Sequence, residues 1–208
     1  DSRLSQQWHY NNDGTLGGSK AGADINLFEA WKTTTGKKDV VVAIIDGGVD
    51  VAHEDLKDNM LANEAELNGQ PNVDDDGNGY VDDVNGWNFF HNNNDPNPID
   101  AADSHGTCVA GIAAAVGNNG KGVAGAAYNA KILPIKISCG ESGNYRVTDS
   151  QLATAFRYAG GLTGNGWRGA DIVNFSWSWG QSTALDTALT DVATRGRNGK
   201  GCPIFVSS

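Results

Sequence analysis

Cysteine is scarce in this 208-residue sequence. Its three residues, Cys108, Cys139 and Cys202, are too few and too scattered for a disulfide scaffold or a zinc knuckle, and their odd count leaves at least one thiol free. Cys139 follows one expected strand and Cys202 precedes another, which disfavours a bridge between them. Cys108, one turn into an alanine- and glycine-rich helix, is expected as a small buried hydrophobe. Positive charge is also in short supply: 15 Lys and Arg against 25 Asp and Glu give a formal net charge of −10. A general nucleic-acid binder would need a basic face, so that class is excluded. No apolar run reaches the roughly 18 residues of a membrane-spanning helix. The chain starts at Asp1 rather than Met, as a processed product does, and no signal peptide is there to read. Processing, acidity and an Asn/Asp/Gly-rich composition together suggest a secreted protein.

What is present is ordinary globular composition, 39% hydrophobic and 19% charged, enough for one domain spanning 1–208. The 28 glycines, many in N-G, G-G and G-N pairs, predict tight turns and close backbone approaches. Residues 40–45 form a continuous apolar run, β-branched except at Ala43 and apolar on both faces as a buried parallel strand requires. Residues 131–137, 171–177 and 203–207 are similar, and helical patterns at 105–116, 150–159 (after an Asp149/Ser150 cap) and 183–195 separate them. Alternation of this kind predicts an α/β fold: a mostly parallel central sheet with helices on both faces, binding ligands at the carboxyl ends of its strands. The polar stretch 59–104 interrupts the rhythm as a long loop of the functional or ion-stabilised sort.

Three segments carry chemistry. Asp46 ends the first strand before Gly47-Gly48; alone, it could simply cap a turn. His105 opens a helix in Asp103-Ser104-His105-Gly106-Thr107-Cys108-Val109-Ala110-Gly111; alone, it could be structural. Paired, a carboxylate at a strand tip and an imidazole at a helix start can meet over the sheet edge, the carboxylate fixing the tautomer that acyl transfer needs. The third segment runs from Asp74 to Asp83. It sets Asp74, Asp76 and Asn78 at alternate positions with the Tyr80 carbonyl next in line, the first half of an EF-hand-type calcium loop. Asn85 stands where the bidentate Glu is expected, so Asp82 or Asp83 must supply that ligand. Five aspartates within ten residues repel one another unless a cation sits among them.

The segment Val41 to Asp50 resembles the aspartate motif of the subtilisin-like serine proteases (subtilases), and Asp103 to Gly111 resembles their histidine motif. Matching flanks, His53-Glu54-Asp55-Leu56 and Gly122-Val123-Ala124-Gly125, extend the likeness over essentially the whole chain. Longer members of the family carry a similar Asp-Gly-Asn-Gly-Tyr-Val-Asp-Asp loop. The resemblance implies that Asp46 orients His105 and that His105 serves as general base and then general acid. It also implies a nucleophile in a Gly-Thr-Ser-Met-Ala-like turn, and no such turn occurs in these residues. The sheet is therefore expected to be incomplete at the carboxyl end. The chain is read as the amino-terminal portion of a serine endopeptidase, either nicked or truncated, whose nucleophile lies on a missing or separate carboxyl-terminal fragment. The alternatives are a catalytically inactive, calcium-dependent peptide-binding module of the same fold, or an unrelated calcium-binding adhesion domain.

By the same resemblance, extended peptide binds between two backbone segments. Ser142, Gly143, Asn144 and Tyr145 form one edge, and Asn174 to Gly180, with Ser176, Trp177 and Ser178 at its centre, forms the other. Strand alternation would put Phe175, Trp177 and Trp179 on one side; for each indole, a groove wall and plain burial stand as equal alternatives. Asn174 stands equally between site support and burial. A further calcium site is implied by family likeness alone. It comprises the carbonyls of Val116, Lys121 and Val123, the Asn119 amide oxygen, Asp55, and Asp1 as an amino-terminal ligand.

Overall fold

The computed structural model describes residues 1–99, 103–139, 145–164 and 166–207. A short helix α1 (Leu27–Trp31) precedes β1 (Val41–Asp46), and α2 (Glu64–Leu67), β2 (Trp87–Asn88) and α3 (His105–Ala114) follow. Then come β3 (Lys131–Lys136), the β4 (Ser138–Cys139) and β5 (Tyr145–Arg146) pair, α4 (Asp149–Ala159), β6 (Ile172–Phe175), α5 (Thr183–Gly199) and β7 (Ile204–Val206). The main sheet has the order β2-β3-β1-β6-β7 and every pairing in it is parallel.

Strand β1 lies at the centre with all six residues buried. Its pleat divides them between two layers. Val42 and Ile44 pack with Ala110 and Ala114 of α3, while Val41, Ala43 and Ile45 pack with Leu152, Phe156, Leu185 and Val192 of α4 and α5. A strand covered by helices on both faces must be apolar throughout, which is why its sequence is unbroken rather than alternating. Fully burying each Val or Ile is worth about 1.5–3 kcal/mol, so this strand anchors both layers.

The observed elements refine the expected ones. The strand expected over 171–177 stops at Phe175, because β1 pairs with it only from Ile172 to Phe175. Beyond that point the alternation lapses and the two indoles diverge. The helix expected over 105–116 ends at Ala114. The cap of α4 is Thr148 rather than Asp149/Ser150: its hydroxyl accepts from Gln151 N, and the Gln151 side chain accepts from Thr148 N. Helix α5 continues past 195, but Gly196, Arg197 and Asn198 leave helical geometry. The stretch 59–104 is not all loop, since β2 adds an edge strand by pairing Trp87 with Ile135 and Asn88 with Lys136. Two residues are too few to show a periodic signature. Cys108 is exposed, not buried. Helix α3 buries Gly106, Ala110, Gly111 and Ala114, and a residue two positions from Gly106 projects from another face. At the other edge, β7 leaves Phe205 and Val206 exposed.

Candidate active site

The carboxyl end of β1 delivers Asp46 into a fully buried position, where its Oδ1 accepts a 2.7 Å hydrogen bond from Gly47 N. The chain turns at once through Gly48 at φ +121°, and a Cβ there would lie 2.8 Å from the Pro96 carbonyl oxygen. Glycine is required on both counts. Helix α3 starts directly over this turn. A Cβ on Gly106 would collide with the Gly48 carbonyl and sit 2.9 Å from Asp46 Cβ, so only glycine lets the first turn of α3 approach. Thr107 completes the joint by accepting a 3.0 Å bond from Asp50 N at Oγ1.

This close approach brings His105 Nδ1 to 2.9 Å from both Asp46 oxygens. The carboxylate is wholly buried while the imidazole side chain remains 57% exposed. One face of the dyad is thus fixed by the protein and the other is open to solvent. The Trp177 ring stands edge-on to the imidazole with centroids 6.4 Å apart, and its buried Nε1 has no hydrogen-bond partner among the described residues.

Behind the dyad lies a group the sequence reading missed. Lys136, in register with Asp46 across β1 and β3, is fully buried. Its Nζ donates to the Gly47 carbonyl and lies 3.1 Å from Asp103 Oδ2. The available signal was a lysine embedded in the apolar run Ile132-Leu133-Pro134-Ile135-Lys136-Ile137.

Of the expected groove residues, Ser176 and Trp177 are half-buried and Ser178 is exposed. Asn174 Nδ2 donates to Ser176 Oγ at 2.8 Å, a local contact within that wall. Trp179 turns away from Trp177: its Nε1 donates to Asp149 Oδ1 at 2.8 Å and the Arg146 guanidinium covers its ring at 4.8 Å. That stacking ties the end of β5 to the 174–180 segment. Gly143 and Asn144 lie outside the described residues, and Tyr145 is described by its backbone pairing with Cys139.

In the aspartate-rich loop, oxygens of Asp74, Asp76 and Glu66 come within 4.8 Å of one another. Glu66, on α2, was not foreseen. Its Oε1 accepts from Asp75 N and Asp76 N and its Oε2 from Asp82 N. The carboxylate expected from Asp82 or Asp83 is not part of this group. Asp82 accepts from Asn72 N at 2.9 Å. Asp83 points inward, accepting from Tyr158 Oη at 2.5 Å, Asn63 Nδ2 at 2.9 Å and Asn78 Nδ2 at 3.0 Å. Burial, opposed by those donors, pushes the Asp83 carboxyl up to about 7. Asn78 Oδ1 accepts from Tyr80 N, and the Tyr80 ring packs against Trp87, Phe89 and Tyr158. Burial and the Asp83 charge push the Tyr80 phenol up to about 12.

The second expected cation site gathers from three distant segments. Asp1 accepts from Asn118 N and Asn119 N, both at 3.0 Å. Asp55, buried, accepts from Asn119 Nδ2 at 2.7 Å and Val123 N at 2.8 Å, and its own carbonyl accepts from Val116 N. Lys121 N donates to Asn119 Oδ1 while the Lys121 carbonyl accepts from Ser2 N. All six residues implied for this site are therefore neighbours.

The family model of the Subtilase family matches residues 37–208. Subtilisin-like protease 1 of Plasmodium falciparum is 36% identical over 167 residues, covering 80% of this chain and 22% of that protein. The extracellular protease of Xanthomonas campestris pv. campestris is 35% identical over 207 residues, covering 94% of this chain and 33% of that protein. Among solved structures, the Aeromonas sobria serine protease in complex with a chaperone superposes with a TM-score of 0.70 at 26% identity. That match covers 99% of this chain and 31% of that one. The chain thus spans about a fifth to a third of the length of these proteins.

Proposed function

The chain belongs to the subtilase family, and from that premise we propose that it is the amino-terminal portion of the catalytic domain of a secreted serine endopeptidase, cleaving peptide bonds through an acyl-enzyme. The observation that carries this reading is the approach of His105 Nδ1 to 2.9 Å from both oxygens of the buried Asp46 carboxylate, beneath an exposed ring. In the proposed reaction Asp46 holds Nδ1 and stabilises the imidazolium. Nε2 of His105 takes the proton of a serine hydroxyl as the serine oxygen bonds to the scissile carbonyl carbon. The same nitrogen gives that proton to the departing amine as the C–N bond breaks. It then takes a proton from a water whose oxygen bonds to the acyl carbon, and returns that proton to the serine oxygen as the ester C–O bond breaks. The serine is assigned to a carboxyl-terminal segment beyond these residues, because no nucleophile turn occurs among them. Exposed Phe205 and Val206 on β7 support a neighbour on that edge.

The proposed substrate is an extended peptide laid along residues 174–178, with Trp177 beside the imidazole. Calcium is the proposed cofactor. The donors at both loops are oxygens only, as a hard cation prefers, and the three converging carboxylates of Glu66, Asp74 and Asp76 fit one. Bound calcium would neutralise these carboxylates. Asp1, Asp55, Asn119 and the carbonyls of Val116, Lys121 and Val123 would hold the other ion. The acidic composition and the extracellular relative support secretion.

A fluorophosphonate probe tests the reaction on the protein isolated with all its fragments. The expected result is a covalent serine adduct in the native sample and none in His105→Ala. A folded native sample that takes no label overturns the protease reading in favour of a binding module.

A further inference from the structure

The amino-terminal edge of the sheet gathers cations that the sequence scatters. Lys37 precedes β1, Arg168 precedes β6, and Arg197 and Lys200 lie just before β7. Because β1, β6 and β7 are neighbours, these approaches stand side by side and line one cavity of about 450 Å³. Two carboxylates share the cavity wall, Asp39 and Asp171. Four cations against two anions leave a local surplus of two positive charges in a chain of net charge −10.

One carboxylate fixes two of the four cations. Asp171 is shared between two guanidiniums, Oδ2 taking Arg168 Nη2 at 2.5 Å and Oδ1 taking Arg197 Nε at 3.2 Å, while Val41 N also donates to Oδ2. Arg168 is further fixed on the Asp39 carbonyl. Arg197 and Asn198 occupy left-handed backbone, φ +54° and +55°, a conformation common for asparagine but uncommon for arginine. That turn seats the Arg197 guanidinium on Asp171. The Lys37 and Lys200 ammonium groups have no side-chain partner among the described residues. Each guanidinium has five N–H donors, and the bonds described leave several of them unused. The result is a preorganised, positively charged recess with unspent donors. It lies one full strand, about 20 Å at 3.3 Å per residue, from the Asp46–His105 end of β1.

We infer that this recess is a binding site for a tetrahedral oxyanion, a phosphate or sulfate group, held by Arg168, Arg197, Lys37 and Lys200. A surplus of two charges matches a dianion and discriminates against chloride. Phosphate and sulfate esters share the chemistry, and charge separates them: at neutral pH a phosphate monoester approaches two negative charges and a sulfate monoester carries one. The site does not depend on the protease reading.

The test follows the arginine Nε–Hε resonances of the ¹⁵N-labelled protein during titration with phenyl phosphate or phenyl sulfate. Ionic strength is matched with sodium chloride throughout. Expected are saturable shifts at Arg168 and Arg197, and at least a tenfold loss of affinity in Lys37→Ala/Lys200→Ala. This variant should fold normally, since it removes two side chains whose ammonium groups have no side-chain partner among the described residues. Tighter binding of phenyl phosphate identifies a phosphate source; equal or tighter binding of phenyl sulfate identifies a sulfate source. The site is disproved by shifts that chloride reproduces, or by affinity unchanged in the double variant.

Discussion

Lys136 Nζ lies 3.1 Å from Asp103 Oδ2, with the two side chains only 1% and 6% exposed. This buried pair stands behind the turn that presents Asp46, and the same ammonium holds the Gly47 carbonyl. Breaking such a buried pair by removing one member is strongly destabilising, at a cost of about 3–5 kcal/mol. Lys136→Met should therefore be severely destabilised in urea unfolding. The double variant Lys136→Met/Asp103→Leu should recover much of the loss. A double variant no more stable than the single one would show that the Gly47 carbonyl, not the ion pair, is the dominant contact.

Gly106→Ala tests the joint between α3 and the Asp46 turn. The added methyl meets the Gly48 carbonyl and must push the start of α3, and with it His105, away from Asp46. Displacements near 1 Å cost roughly 100-fold in rate. The rate of fluorophosphonate labelling should fall by about that factor, with a much smaller change in unfolding midpoint. Equal losses in both would mean that the helix unfolds rather than shifts.

Calcium should raise the thermal midpoint saturably, and a chelator should lower it. At 100 times its dissociation constant, one bound ion adds about 2.7 kcal/mol. Glu66→Gln removes one of three converging carboxylates and should weaken the calcium response on the order of tenfold. Asp83→Asn should leave that response in place, since Asp83 faces Tyr158, Asn63 and Asn78. A midpoint indifferent to both calcium and chelator would remove the cofactor assignment.

Asp171 gives a pH signature. Burial tends to raise its carboxyl pKa, but the Val41 N–H and the Arg168 and Arg197 guanidiniums outweigh burial and hold it below the usual carboxylate range. A depressed folded-state value means stability that is fully present above the ordinary carboxylate pKa, about 3.9, and lost as pH falls through the folded value. Asp171→Asn should cost about 1 kcal/mol or less at pH 7, given the solvent screening of this partly exposed group. The two proteins should converge in stability once pH falls below the depressed folded-state value. A difference that persists undiminished at pH 2 would assign the effect to packing instead of charge.

Much of the fold is written locally. The run Val41 to Ile45 has to be a strand covered on both faces, because nothing in it tolerates water on either side. Gly47-Gly48 after Asp46 and Gly106 after His105 announce close backbone approach before any partner is known. These are short-range facts of periodicity and sterics, and a linear chain displays them openly. Contacts between distant segments are another matter. The Glu66 carboxylate completing the Asp74–Asp76 group, the Asp103–Lys136 pair behind the dyad, and the inward turn of Asp83 depend on which loops the fold brings together. Lys37, Arg168, Arg197 and Lys200 become one recess only because β1, β6 and β7 are neighbours. Cys108 faces water because the side of α3 that meets the sheet is set by its glycines and alanines. Residue chemistry and spacing determined what each segment could do; the order of strands in the sheet decided which segments meet, because electrostatic and steric complementarity act through space and not along the chain.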